Sequence, residues 1–379
     1  VPLTVFGATP GLLNSRMARP RFSRTGPRGR TAALLLAAVS FATFALTGCA
    51  ADTTEAGSVV DGPLPTEVPP GTKLVLADQS ELLRHQLLLS GELDKLPFEV
   101  EFANFVGGPA ILESFRAGAA DAAWVGDVPP IHALAAKQDV PIVAAAQIDP
   151  GALRFGVAPG VSVTTAAQIK GKKIAYAEGT AQQAAVLRLL DKAGLQTSDV
   201  ELVRIQLAEF LDAVRTGQVD LAPLNEPNTT RFLRTPGTSL IPAEETDGTY
   251  PGLTYLYARR EVVRDPAKAA AVRALVAAYV RSWQWVNEHR AEWAQKYYVD
   301  NQKVSLDDAT RIVESRGTIT FPHLDQQLID RQQATIDLID AAGELPRKVS
   351  AADGIDLRFD AVITDTVGQV GGSFVRGSN

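Results

Sequence analysis

Five short segments of this 379-residue chain place glycine, proline, hydroxyl and carboxyl residues where an extended run gives way to a helical one. They are Asp78-Gln79-Ser80, Val106-Gly107-Gly108-Pro109, the stretch 125–130 (Val-Gly-Asp-Val-Pro-Pro), Glu178-Gly179-Thr180-Ala181 and Asn225-Glu226-Pro227. Glycine allows close backbone approach, Ser, Thr and Asp cap helices, and proline suits the first helical position. The free N–H groups and the dipole of a helix start favour an oxyanion, each terminus contributing roughly 0.3–2 kcal/mol. Three or four such termini converging on one head group, with apolar contacts to a tail, would support binding of about micromolar strength without a lysine or arginine in these segments. Candidate ligand contacts are therefore Ser80, Gly108, Gly126, Asp127, Gly179, Thr180, Ala181 and Glu226. Six of them have an ordinary structural alternative, a helix cap for Ser80, Thr180 and Asp127 and a tight turn for the three glycines. The repetition of one design along the chain is what favours a site.

Other chemistries find little support. His85, His132, His289 and His323 are scattered and lack the spacing of zinc ligands. Neither a Ser-His-Asp set nor a phosphate loop stands out. The expectation is no catalytic residue, no metal and no cofactor.

From Lys73 onward short β-rich runs alternate with helical ones, the pattern of an α/β fold with largely parallel sheets. Expected strands are 73–77, 98–104, 122–125, 142–148, 153–157, 173–176, 201–205 and 221–224, with a later one at 254–258. Expected helices include 109–117, where Ile111, Leu112 and Phe115 share a face, and 182–193, closed by Gly194. A break in character after Pro159 suggests passage into a second lobe, and the return is expected near Thr254. Lobe 1 would then comprise 73–158 and 254–360, lobe 2 would comprise 159–253, and 361–379 would be a C-terminal tail. Two lobes joined by two crossovers leave a cleft, the usual place for a ligand, with hinge closure around it. After the return the pattern is helical, with Asp265 as a cap and Pro266 at the first helical position.

At the amino end Arg16, Arg19, Arg21, Arg24, Arg28 and Arg30 precede an uncharged apolar run over 32–46. This is a basic region followed by a core too short to span a bilayer, as in an export signal over 1–48. Val1 reads as an alternative start codon taken literally, so synthesis is expected to begin at Met17, the only methionine. The run ends in Leu46-Thr47-Gly48-Cys49, which resembles the bacterial lipobox. Cys49 is the only cysteine, so no internal disulfide is possible and its sulfur is the expected site of lipidation. Residues 49–72, rich in Pro, Gly, Ser and Thr, read as a lipidated flexible tether. Loss of residues 1–48 removes six of the 37 basic residues and none of the 43 acidic ones, deepening the net charge from −6 to about −12. Such a surface argues against nucleic-acid binding. The expected location is the extracytoplasmic face of a bacterial membrane, held there by the lipid.

The segments also carry a family resemblance. Residues 108–118 (Gly-Pro-Ala-Ile-Leu-Glu-Ser-Phe-Arg-Ala-Gly), Asp121 and 125–131 (Val-Gly-Asp-Val-Pro-Pro-Ile) are similar to the segment typical of aliphatic-sulfonate binders. Further matches are 171–176, 187–194 and 217–220. The chain resembles the sulfonate-, taurine- and nitrate-type solute-binding proteins of ABC importers over residues 73–360. The resemblance implies a type II periplasmic-binding-protein fold with two lobes and two hinge crossovers. It implies a monomer holding a small organic anion between the lobes, with contacts matching Ser80, Gly108, Gly126, Asp127, Gly179, Thr180 and Ala181, and delivering it to a permease and its ATPase. Departures are Asn225-Glu226-Pro227 in place of Trp-Asp-Pro, which removes an aromatic wall, and Gln182 and Gln183 in place of an Asn or His pattern. Alternative solutes are nitrate or a thiamine precursor. An alternative class is a desulfinase-like enzyme, whose chemistry needs a cleft thiolate that a lone Cys49 in the lipobox does not supply.

Overall fold

The structure is a computed structural model that describes residues 62–374. Ten strands form two five-stranded sheets. The first contains β1 (Lys73–Gln79), β2 (Glu99–Phe105), β3 (Ala122–Gly126), β4 (Ile142–Gln147) and β10 (Leu253–Ala258), in the spatial order β2-β1-β3-β10-β4. The second contains β5 (Leu153–Val157), β6 (Lys173–Tyr176), β7 (Glu201–Arg204), β8 (Leu221–Asn225) and β9 (Ser239–Leu240), in the order β7-β6-β8-β5-β9. β1 runs parallel to β2 and β3, and β6 runs parallel to β7 and β8. In each sheet one strand entered from the other lobe runs antiparallel, β10 in the first and β5 in the second. Residues 142–146 and all of β10 are buried, as expected of strands covered by helices on both faces.

Nine of the ten strands lie within one or two residues of the sequence expectation, and two-residue β9 escaped it. The helices follow their apolar spacing. In α2 (Gly108–Arg116) the buried positions include Ile111, Leu112 and Phe115, and in α4 (Ala181–Lys192) they include Val186, Leu189 and Leu190. Gly194, with φ +66°, ends the latter. The 23-residue helix Pro266–Glu288 starts as expected, with the Asp265 side chain accepting from the Lys268 amide. Among the described residues no helix is long and apolar enough to cross a membrane.

Three boundaries need correction. The first crossing precedes β5 rather than following Pro159, because residues 153–157 hydrogen-bond β8 and β9. Periodicity identifies a strand but not its partner. The crossovers lie side by side: the Ile148 amide donates to the Gly252 carbonyl at 3.0 Å. A Cβ at Gly252, where φ is +70°, would stand 2.0 Å from the Ile148 carbonyl oxygen, so only glycine fits the hinge there. The second correction is the C-terminal tail. Residues 360–370 form a helix that buries Val362, Ile363, Thr366 and Val367, and Phe374 stacks on His323 with centroids 4.0 Å apart. Third, the described end of the supposed tether is not free of contacts, since Leu64 and Val68 pack against the core.

Ile363 is wholly buried. Ile363→Ala should lower the free energy of unfolding by about 2–5 kcal/mol, measured by denaturant titration; a change below about 0.5 kcal/mol would show that the last helix adds nothing to the fold.

Candidate functional site

A cavity of about 340 Å³ opens between the sheets at the carboxyl ends of β1, β2, β3 and β8, where ligands sit in open α/β sheets. Six of the eight candidate residues line it: Ser80, Gly108, Gly126, Thr180, Ala181 and Glu226.

The first segment turns sharply, with Ser80 and Glu81 at φ near +55°. Asp78 makes that turn possible: its carboxylate accepts from the amides of Gln79 at 2.7 Å, Leu83 at 3.0 Å and Arg84 at 2.9 Å. These bonds use up the start of α1 (Leu82–Leu89), so that helix offers a ligand little. Burial pushes the Asp78 carboxyl up and the three amides oppose it.

At the second segment Gly107, with φ +85°, donates its amide to Gln79 Oε1 at 3.2 Å and leads into α2. A Cβ on Gly108 would lie 2.3 Å from Pro129 Cγ and 3.0 Å from the carbonyl oxygen of Gly179 in the other lobe. A Cβ on Gly126 would meet Ala181 Cβ at 3.0 Å, again across the cleft. The helix starts of α2 and α4 thus open on one void; Pro109 has no amide hydrogen and the Gln183 amide donates to Thr180, which leaves the amides of Gly108 and Ala110 in α2 and of Ala181 and Gln182 in α4 without an acceptor in their own helices.

Two candidates lie elsewhere. Asp127 is buried and does not line the cavity; its Oδ2 accepts from Arg188 Nη2 at 3.2 Å. Burial pushes this carboxyl up and the guanidinium draws it back only in part. Arg188 also donates to Thr335 Oγ1 at 2.6 Å, and Gln332 Nε2 donates to the Asp127 carbonyl at 2.8 Å. Asp127 is therefore a structural link between α4 and lobe 1, and a buried acid beside a neighbouring glycine could not be told from a ligand contact by sequence. Gly179 also sits off the cavity, its amide donating to Gln183 Oε1 at 2.9 Å. The same oxygen meets His132 Nε2 at 2.9 Å across the lobes, and burial holds the His132 imidazole below its usual pKa.

Two of the lining candidates also serve their helices. The Thr180 hydroxyl donates to the Ala177 carbonyl at 2.7 Å and accepts from the Gln183 amide at 3.4 Å. Glu226 Oε2 accepts from the Thr230 amide at 3.1 Å.

Sequence reasoning missed other lining residues: the cations Arg231 and Arg316, and Trp124, Tyr250, Tyr297 and Gln302. Arg316 and Tyr297 come from the helical C-terminal region, whose periodicity reports packing alone. The aromatic wall expected to be lost with Asn225-Glu226-Pro227 is replaced by Phe105, Trp124, Phe210 and the two tyrosines. Among the described residues no group of three or more His, Cys, Asp or Glu could hold a metal. Cys49, with its expected lipidation, lies outside the described residues, as do the export signal and the start of the tether.

The profile of the family described as NMT1/THI5 like matches residues 105–292, which include the second to fifth segments. Over that stretch the chain is similar to that family. It is 26% identical over 251 residues to a protein of Escherichia coli strain K12 named as an aliphatic sulfonates-binding protein, an alignment covering 66% of this chain and 77% of that one. A Bacillus subtilis strain 168 protein of the same name is 25% identical over 269 residues, covering 70% and 79%. The alkanesulfonate-binding protein from Xanthomonas axonopodis pv. citri bound to MOPS superposes with a TM-score of 0.68 at 24% identity, covering 76% of this chain and 99% of that structure. The periplasmic-binding-protein fold expected from the sequence is thus the fold of this chain.

Gly108→Ala should destabilise the protein by about 1–3 kcal/mol through overpacking against the rigid Pro129 ring, read as a lower melting temperature. An unchanged melting temperature would mean that the Gly108 backbone is not pressed against Pro129.

Proposed function

We propose that this chain captures a small organic anion, an alkane or related sulfonate, between its lobes and delivers it to the permease of an ABC importer. The observation that carries this reading is the cavity itself, into which helix starts from both lobes open beside two arginines. The apolar wall of Leu82, Phe105, Leu207, Phe210 and Leu224 suits a short hydrocarbon tail. The two relatives named for aliphatic sulfonates support the sulfonate class. The reading includes a monomer and a diacylglyceryl anchor on Cys49 at the extracytoplasmic face. It assigns ligand contact to Ser80, Gly108, Gly126, Thr180 and Ala181, with Glu226 at the rim of the set.

The chain acts as a binder rather than an enzyme in this reading. A desulfinase-like reaction needs a thiolate in the cleft, and the single cysteine lies in the lipobox. Nitrate would leave the apolar wall uncovered. A thiamine precursor remains testable by the same experiment.

Calorimetric titration of the folded chain with alkane sulfonates, taurine, nitrate and thiamine precursors should show a one-to-one complex with an alkane sulfonate of about micromolar affinity. No heat with any of these would reject the reading, and consumption of a ligand would establish an enzyme instead. In cells, Cys49→Ser should move the protein from the membrane pellet to the soluble fraction with its ligand affinity unchanged. A variant that still sediments with membranes would rule out the lipid anchor.

A further inference from the structure

The two cations of the cavity are bonded differently. Arg231 spends Nη1 on Asn228 Oδ1 at 3.0 Å and Nη2 on the Gln302 carbonyl at 2.6 Å. Arg316 has its Nε buried without a hydrogen-bond partner. Among the described residues no carboxylate lies within ion-pair distance of its guanidinium. Its close company is aromatic: the guanidinium carbon is 5.7 Å from the centroid of the Tyr298 ring, and Tyr250 and Tyr297 line the same cavity. Arg316 is half-buried; a guanidinium partly withdrawn from water without a counter-charge is costly, and an anionic guest would relieve that cost. The side chain is placed by its backbone. The Arg316 amide donates to the Ile312 carbonyl at 3.3 Å, and its carbonyl accepts from the Asp149 amide of the first crossover at 2.9 Å.

Glu226 is the remaining charged side chain of the lining, and one of its oxygens is occupied by the Thr230 amide. Two guanidinium groups against one carboxylate leave a single positive charge uncompensated.

We infer that the cavity is built for a singly charged organic anion and that the guanidinium of Arg316, which lines it, is the charge partner. The inference rests on the reading of the cleft as an anion-binding site and adds to it the residue and the charge it selects. A dianion such as sulfate would bring a second negative charge near Glu226 and no tail to cover Phe105, Leu207 and Phe210. A neutral sulfonamide of the same shape would fill the space and leave Arg316 unpaired.

Calorimetric titrations with butane-1-sulfonate, butane-1-sulfonamide and sulfate test this directly. The unaltered protein should bind the sulfonate at least about 10-fold more tightly than either of the others, as expected for a hydrogen bond to a charged group. Arg316→Gln should weaken the sulfonate by roughly 10- to 100-fold while the sulfonamide changes by less than about 3-fold, a split that general damage to the fold would not produce. Arg316→Lys keeps the charge but loses the planar fork. It should retain the preference for the sulfonate over the sulfonamide at an affinity about 10-fold below that of the unaltered protein, and it carries the test if the glutamine variant does not fold. Equal sulfonate affinity in the unaltered protein and in either variant would overturn the assignment to Arg316 and leave the proposed function standing. Failure of the unaltered protein to bind any of the three would overturn both.

Discussion

At the mouth of the cleft the backbone of one lobe comes closer to the other than any side chain would allow, and the geometry of the site depends on that approach. Gly108 faces the Gly179 carbonyl, and Gly126 faces the methyl of Ala181. Because nothing projects from these positions, the first turns of α2 and α4 share one void instead of being separated by packed side chains. The glycines thus act less as loop punctuation than as the surface across which two domains touch. Gly252 does the same at the hinge, where the two crossovers pass within a hydrogen bond of each other.

The helix that opens on the cleft is also the one that ties the lobes together. α4 sends Arg188 to Asp127 and Gln183 to His132, both in lobe 1. Gln183 also donates to the Tyr176 hydroxyl at 3.1 Å and accepts from the Gly179 amide, so one amide side chain orients the turn that precedes the helix. A buried ion pair recovers little of its desolvation cost as stability, and its main effect here is orientation. It fixes the rotation of α4, and with it the direction of the amides at Ala181 and Gln182.

Charge is distributed in opposite senses outside and inside. The chain as a whole is acidic, which disfavours an anionic membrane or nucleic acid, whereas the cavity carries an excess of one positive charge from Arg231 and Arg316. The helix starts add oriented dipoles of the same sign. An anion thus meets favourable charge in the cleft, where the low-dielectric walls strengthen it.

Much of this was legible without coordinates. Alternation and apolar spacing located nine strands and the main helices, because period-two and period-3.6 patterns are imposed by burial on residues close in sequence. The glycine and proline segments marked where helices begin at strand ends, and six of their eight candidate residues do border the cavity. Sequence could not decide what meets across distance. Asp127 sits beside Gly126 in the chain, yet it turns toward Arg188, 61 residues away, and is withdrawn from the site. Residues 153–157 read as a strand, but only the sheets show that they pair in lobe 2. Arg316 closes a helix that sequence reads as packing, and it reaches the cleft only because the return crossover folds the C-terminal region back beside Asp149. Local patterns encode which face of an element is buried; which faces then meet, and which charge is left unpaired between them, is settled by long-range packing that no short window of residues contains.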